Sequence, residues 1–212
     1  MPNKLKTSFP HSSSAEMKRK AITELDESND GEPLLSQAPS LDLLYSLDEL
    51  GYLLQGLLGL DAPRDEAGRL LDVRLKGMWF EWEVAKRLGY VQRPKSGAFP
   101  DMRHQLIESK HHTGKSITID FGKHHPGTKG VIAARWNQKL KFKVSDVRYL
   151  IALAPPPDFK IVTLIIKTGE QLADMFGVSI TQTVKYQMGI SRAWREENLG
   201  KIIYGDKIVV SQ

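Results

Sequence analysis

Two apolar runs, Tyr149-Leu150-Ile151-Ala152-Leu153-Ala154 and Ile161-Val162-Thr163-Leu164-Ile165-Ile166, limit what this chain can fold into. A strand with one wet face alternates apolar and polar residues, whereas a strand covered on both faces is apolar throughout. The two runs, separated by Pro155-Pro156-Pro157-Asp158, therefore read as buried strands of a sheet with layers on both sides. Helical patterns supply those layers. Ser46-x-x-Glu49 is a capping-box pattern, and it opens a stripe of Leu50, Leu53, Leu54, Leu57 and Leu58. That stripe suits a core face or a dimer face. Gly77 to Leu88 forms a further helix, stopped by Gly89 ahead of a predicted strand Tyr90–Arg93. The fold class is α/β, a central mixed sheet flanked by helices, with a helical N-terminal region.

Other elements follow from shorter signals. Asp61-Ala62-Pro63-Arg64 is a turn into a second helix running through Val73, and Ser116–Phe121 alternates as a strand. Ala133–Leu140 reads as a helix with Arg135, Asn137, Gln138 and Lys139 exposed. Further helices are expected over 169–176 and 180–198, the latter bearing Gln182, Lys185, Arg192 and Arg195. Lys201–Ser211 is a hairpin turning at Gly205-Asp206. The expected organisation is a polar, flexible N-terminal segment 1–38, a helical region 39–76 and a core 77–212 with a C-terminal extension.

The stretch Phe99 to Lys110 places charge where a hairpin would carry apolar residues. With a turn centred between His104 and Gln105, or a four-residue loop Arg103–Leu106, residues whose numbers sum to 209 stand opposite each other. Asp101 then faces Glu108, with Cβ atoms about 4.5–5.5 Å apart. Lys110 shares the face of Glu108, because strand side chains alternate. Opposed carboxylates destabilise a hairpin unless a cation compensates, and hard divalent cations prefer oxygen ligands. The plainer alternative is a surface hairpin with a salt bridge. In the preceding helix, Glu81 lies on the apolar stripe with Val84, Ala85 and Leu88, whereas Glu83 lies with Lys86 and Arg87 on a solvated, ion-paired face. A carboxylate on a packing face needs a partner, either a metal site or an Arg or amide at the core edge.

Pro100-Asp101, a spacer, then Glu108-Ser109-Lys110 resembles the PD-(D/E)xK signature of the restriction-endonuclease-like nuclease superfamily. The resemblance covers about residues 77–167. It implies a restriction-endonuclease-like core in which Asp101 and Glu108, with the backbone carbonyl of Ser109, ligate one or two Mg²⁺ ions. It also implies that Lys110 orients or activates the attacking water, and that Glu81 assists through a second ion or a bound water. The implied reaction is Mg²⁺-dependent hydrolysis of double-stranded DNA. Within that class a type II restriction endonuclease acting as a homodimer is expected. The alternatives are a DNA repair or junction-resolving nuclease, and a non-catalytic DNA-binding protein on a nuclease fold.

Charge is distributed in keeping with a DNA partner. Residues 22–85 hold 14 acidic and 4 basic side chains, whereas residues 93–148 hold 12 Lys/Arg and only 4 Asp/Glu, two of which are Asp101 and Glu108. Cations around a carboxylate pair attract a phosphate backbone. Lys123 and Lys129 in the glycine-rich loop 122–130, with Lys139 and Lys141, suit phosphate contacts. Arg135, Asn137 and Gln138 suit base edges. A solvated basic face is the plainer reading of the same residues. His111 and His112 are adjacent on a strand and point to opposite faces, so they cannot chelate one ion together. With no cysteine there is neither a disulfide framework nor a thiolate zinc site. No apolar run reaches the ~20 residues that span a bilayer, and the N-terminus lacks a continuous apolar secretory core. A cytoplasmic protein is expected.

Overall fold

The computed structural model describes residues 44–91, 93–94, 99–114, 117–138 and 141–210. Its centre is a five-stranded mixed sheet built from β1 (Ile107–His112), β3 (Arg148–Leu153), β4 (Thr163–Thr168), β7 (Lys201–Tyr204) and β8 (Lys207–Val210), in the order β1-β3-β4-β7-β8. The β1–β3 and β4–β7 pairs are parallel, and the β3–β4 and β7–β8 pairs are antiparallel. Every residue of β3 is buried, as its unbroken apolar sequence requires. A smaller antiparallel sheet contains β2 (Ile117–Asp120), β5 (Ser179–Ile180) and β6 (Tyr186–Ile190).

The central sheet separates two cores. On one face Leu150, Ala152, Leu164, Ile166 and Ile202 pack against helices α1 (Leu47–Leu54) and α2 (Val73–Arg87). The Leu50/Leu54 stripe is buried here with Leu57, while Leu53 and Leu58 are partly buried against it, so the stripe is a core face. The capping box of α1 is complete: Ser46 Oγ accepts from the Glu49 amide at 3.2 Å, and Glu49 Oε2 accepts from the Ser46 amide at 2.7 Å. On the other face Tyr149, Ile151, Leu153 and Ile165 meet the small sheet through Ile119 and Met188. Leu172 of α3 (Gly169–Phe176) joins the same core. A short helix, α4 (Arg192–Glu197), precedes β7.

Several sequence expectations change. Among the described residues no strand runs over Tyr90–Arg93. The Tyr90 amide still donates to Ala85 at 3.0 Å as the chain turns through left-handed Gly89, so it closes the helix rather than leaving it extended. The segment after Pro63 is not helical until Asp72 caps α2, its Oδ1 accepting from the Leu75 amide at 2.9 Å. α2 then crosses the expected boundary between 76 and 77, so the helical region and the core are continuous there. Residues 180–198 form β6 and α4 rather than one helix, because Met188 and Ile190 alternate into the core. The C-terminal hairpin has the expected turn at Gly205-Asp206. Segment 1–38, Ser116 and Lys139 lie outside the described residues.

The expected helix Ala133–Leu140 is only a 3₁₀ turn, Arg135–Asn137, and Asn137 is fully buried. Its Nδ2 donates to the carbonyls of Ile132 (3.0 Å) and Phe142 (2.8 Å), and its Oδ1 accepts from the Phe142 amide at 2.8 Å. The amide that looked available to a base edge instead ties the two arms of a loop together. Asn137→Ala would leave the Phe142 amide without a partner and take one of two donors from each of the Ile132 and Phe142 carbonyls, so a stability loss on the order of 2 kcal/mol is expected. Urea denaturation would measure it, and a variant as stable as the parent would show that the loop needs no such tie.

Candidate active site

The turn preceding β1 has the predicted register. Met102 and Ile107 exchange backbone hydrogen bonds of 2.9 and 3.0 Å, so residues summing to 209 stand opposite each other. Arg103–Gln105 is a 3₁₀ turn, closed by Leu106 in the left-handed region, which makes this the four-residue loop. Gln105 is buried and anchors the loop. Its Oε1 accepts from the Tyr45 amide at 2.9 Å and from Arg148 Nη2 at 3.2 Å, while Arg148 Nη1 donates to the Tyr45 carbonyl. The Tyr45 segment, the loop and β3 are thus held in one network.

β1 is an edge strand of the central sheet, with β3 on one side only. Asp101 occupies the other side: its Oδ2 accepts from the Ser109 amide at 2.8 Å and from Ser109 Oγ at 2.9 Å. The Asp101 amide donates to Glu108 Oε2 at 3.2 Å, and Lys110 Nζ donates to Glu108 Oε1 at 2.6 Å. The amide and carbonyl of one strand residue share a side, so the Ser109 carbonyl also faces this open edge. Glu81 comes from α2, whose Phe80, Val84 and Ala85 are buried in the helix-side core. The structure brings Glu81, Asp101, Glu108, Ser109 and Lys110 into one electrostatic cluster.

Burial raises the Glu81 carboxyl to about 8, helped by the charges of Asp101 and Glu108 and opposed by Lys110. Burial and then Asp101 push Glu108 to about 7 against the pull of Lys110. Asp101 is raised by burial, although the Ser109 amide and Lys110 work the other way. Burial disfavours the Lys110 ammonium, but Glu108 and Asp101 hold it above its usual value. Glu83, by contrast, bonds Lys86 and, at 2.9 Å, Arg87 Nη1; despite some burial these cations lower its pKa. The helix phase inferred from sequence thus separates the two glutamates.

Three carboxyls share one lysine, so full ionisation would leave an excess of negative charge, and the raised pKa values of Glu81 and Glu108 reflect that cost along with burial. The donors are all oxygens, they lie on an open sheet edge, and they suit a hard cation that keeps some of its waters. Among the described residues no three His, Asp or Glu side chains form a ready-made metal cage. His111 and His112 take opposite sides of β1. His111 packs on Trp79 and Phe80, with ring centroids 5.6 and 5.5 Å away. Burial first, then nearby cations, lowers both histidines to about 4.

The expected DNA contacts separate. Lys123, Lys129, Arg135, Gln138 and Lys141 are exposed, whereas Asn137 is not. Lys129 makes a long ion pair of 3.5 Å with Glu170, which solvent leaves weak. Arg135, Gln138 and Lys141 line a cleft of about 470 Å³. The basic loop reaches the site through His124, whose ring stacks on Phe99 at 4.0 Å, two residues before Asp101. That stack, the Gln105–Arg148 anchor and Tyr149 escape sequence reading, because each joins residues far apart in the chain without a local pattern. No helix among the described residues is long and apolar enough to cross a membrane. The chain matches no family model, no curated protein and no solved structure.

These shifts make stability depend on pH. Glu108 and Glu81 titrate near 7 and 8 when folded, against an ordinary 4.5, so the folded state holds extra protons and loses stability as pH rises through that range. The histidines, depressed from 6.5 to about 4, act oppositely and add stability as pH rises to about 6.5. Without divalent cations, the two glutamates and the two histidines offset each other between about pH 4.5 and 6.5, and Tm is expected to fall from about pH 6.5 towards pH 8, with Glu81→Gln reducing that fall. Scanning calorimetry across this range would show it; a Tm still rising at the alkaline end would rule out protonated carboxyls.

Proposed function

We propose that this protein is a Mg²⁺-dependent endonuclease that hydrolyses phosphodiester bonds of double-stranded DNA. One observation carries the reading: Glu81, Asp101, Glu108 and Lys110 meet at the open edge of a mixed sheet, although the carboxylates repel one another. The cluster resembles the PD-(D/E)xK arrangement, and the reading assigns the fold to the restriction-endonuclease-like class. Asp101, Glu108 and the Ser109 carbonyl would hold the cation, one ion or two. Bound there, Mg²⁺ supplies a water of lowered pKa and stabilises charge developing on the phosphoryl group. Lys110, braced against Glu108, offers an ammonium to the attacking water and the scissile phosphate. Glu81, with a carboxyl more basic than usual, stands where it can accept a proton.

The same reading makes the protein a type II restriction endonuclease, working as a homodimer on a palindromic site. Arg135 and Gln138 remain its candidates for base contacts, since guanidinium and amide groups pair with guanine and adenine edges. Incubation with plasmid DNA and Mg²⁺ tests the proposal directly. Discrete fragments support restriction, a smear supports a repair-type or non-specific nuclease, and intact plasmid supports a DNA-binding protein without catalysis.

Glu108→Ala and Lys110→Ala are each expected to abolish cleavage while DNA binding persists in gel-shift assays. Glu81→Gln should lower kcat about 100-fold and Glu83→Gln hardly at all; equal effects would remove Glu81 from the chemistry. Neutralising Lys123, Lys129 and Lys141 together should weaken binding to cognate and scrambled duplexes alike. It should also reduce the slope of log affinity against log salt by about 0.9 for each phosphate that is no longer neutralised. An unchanged slope would mean that these lysines form only a solvated face.

A further inference from the structure

Tyr149 stands opposite Glu108 in the parallel register of β1 and β3, so the two side chains share a face of the sheet. The residue is 1% exposed, and its hydroxyl oxygen is buried without a hydrogen-bond partner. A buried hydroxyl left unpaired is unfavourable, and each such group in a folded protein calls for a physical reason. Poor packing is not the reason. Phe121 meets the ring edge to face at 5.1 Å. Gly169 lets the chain pass close behind it: an added Cβ there would lie 3.2 Å from Tyr149 Cε2 and 2.1 Å from the Pro126 carbonyl oxygen. The ring is wedged in place on the sheet face that carries Glu108, within reach of the charges of Glu108 and Asp101.

The neighbours define what the hydroxyl can do. Burial, then the charges of Glu108 and Asp101, keep the phenol protonated, so it is a neutral donor. Glu108 Oε1 already accepts from Lys110, and Oε2 from the Asp101 amide. A buried donor on the same sheet face as a carboxylate that it does not itself bond is suited to bridging through a third atom. We propose that Tyr149 is a positioning residue for the candidate site, its hydroxyl donating to a water that also binds Glu108 and so fixing the carboxylate that holds the cation. This inference rests on the metal-dependent reading above. Groups that orient a liganding carboxylate commonly change metal affinity about 10- to 100-fold when removed.

Tyr149→Phe removes only the hydroxyl and keeps the wedged ring. Calorimetric titration of wild type and variant with Mn²⁺, paired with thermal melts in chelator, separates the outcomes. The proposal expects Mn²⁺ to bind the variant about 10-fold more weakly, with Tm in chelator unchanged or slightly raised. On plasmid DNA, kcat should fall with KM unchanged. Equal Mn²⁺ affinity in both proteins would overturn the role of Tyr149 while leaving the metal site standing. A marked loss of Tm in chelator would also overturn it, by showing that the hydroxyl serves the fold. A wild type that binds no Mn²⁺ would remove the metal-dependent reading, and the inference with it.

Discussion

Asp101 and Glu108 are placed where neither can stay charged cheaply, and much of the surrounding structure answers that constraint. Burial raises both, and the Asp101 charge raises the cost of charging Glu108. Lys110 compensates one carboxylate, and the amide and hydroxyl of Ser109 compensate part of the second. A third carboxylate, Glu81, then restores the imbalance. Such an excess has two remedies, a proton or a cation. The first lies within the ordinary range of pH, and the second is the one proposed for this site.

The sheet edge makes this meeting possible. Glu108, Lys110 and Tyr149 belong to the face that looks towards the small sheet. Glu81 comes from α2 in the opposite layer. Side chains from layers on opposite faces of a sheet are ordinarily kept apart by the sheet itself. They can converge only where the sheet ends, and β1 ends it. The loop Arg103–Leu106 must therefore be held firmly, which is the work of Gln105, Arg148 and the Tyr45 backbone.

Local patterns made a good part of this legible in the sequence. The apolar runs marked β3 and β4, the sum of 209 gave the 102–107 bridge, and helix phase told Glu81 from Glu83. Where tertiary contacts override local preference, the patterns misled. Asn137 has the composition of an exposed recognition residue, yet three backbone bonds hold it inside. Met188 and Ile190 face the core at a spacing of two, inside a segment whose polar residues resembled a helix surface. Tyr149 was legible only as a core aromatic. Its standing opposite Glu108 depends on a parallel pairing that no short stretch of sequence encodes.

The two edges of the central sheet differ in how they are closed. β8 runs along one of them with all four residues exposed, Ile208 and Val210 among them. At the other, Asp101 occupies the outward amide of Ser109, and the 102–107 bridge occupies Ile107. Unpaired edge amides are templates for strand addition by another chain. The carboxylate assigned to cation binding is therefore also a stopper on the sheet. On the proposed reading, chemistry and solubility are coupled through one side chain, and a change at Asp101 frees the Ser109 amide at the same moment that it alters the carboxylate cluster.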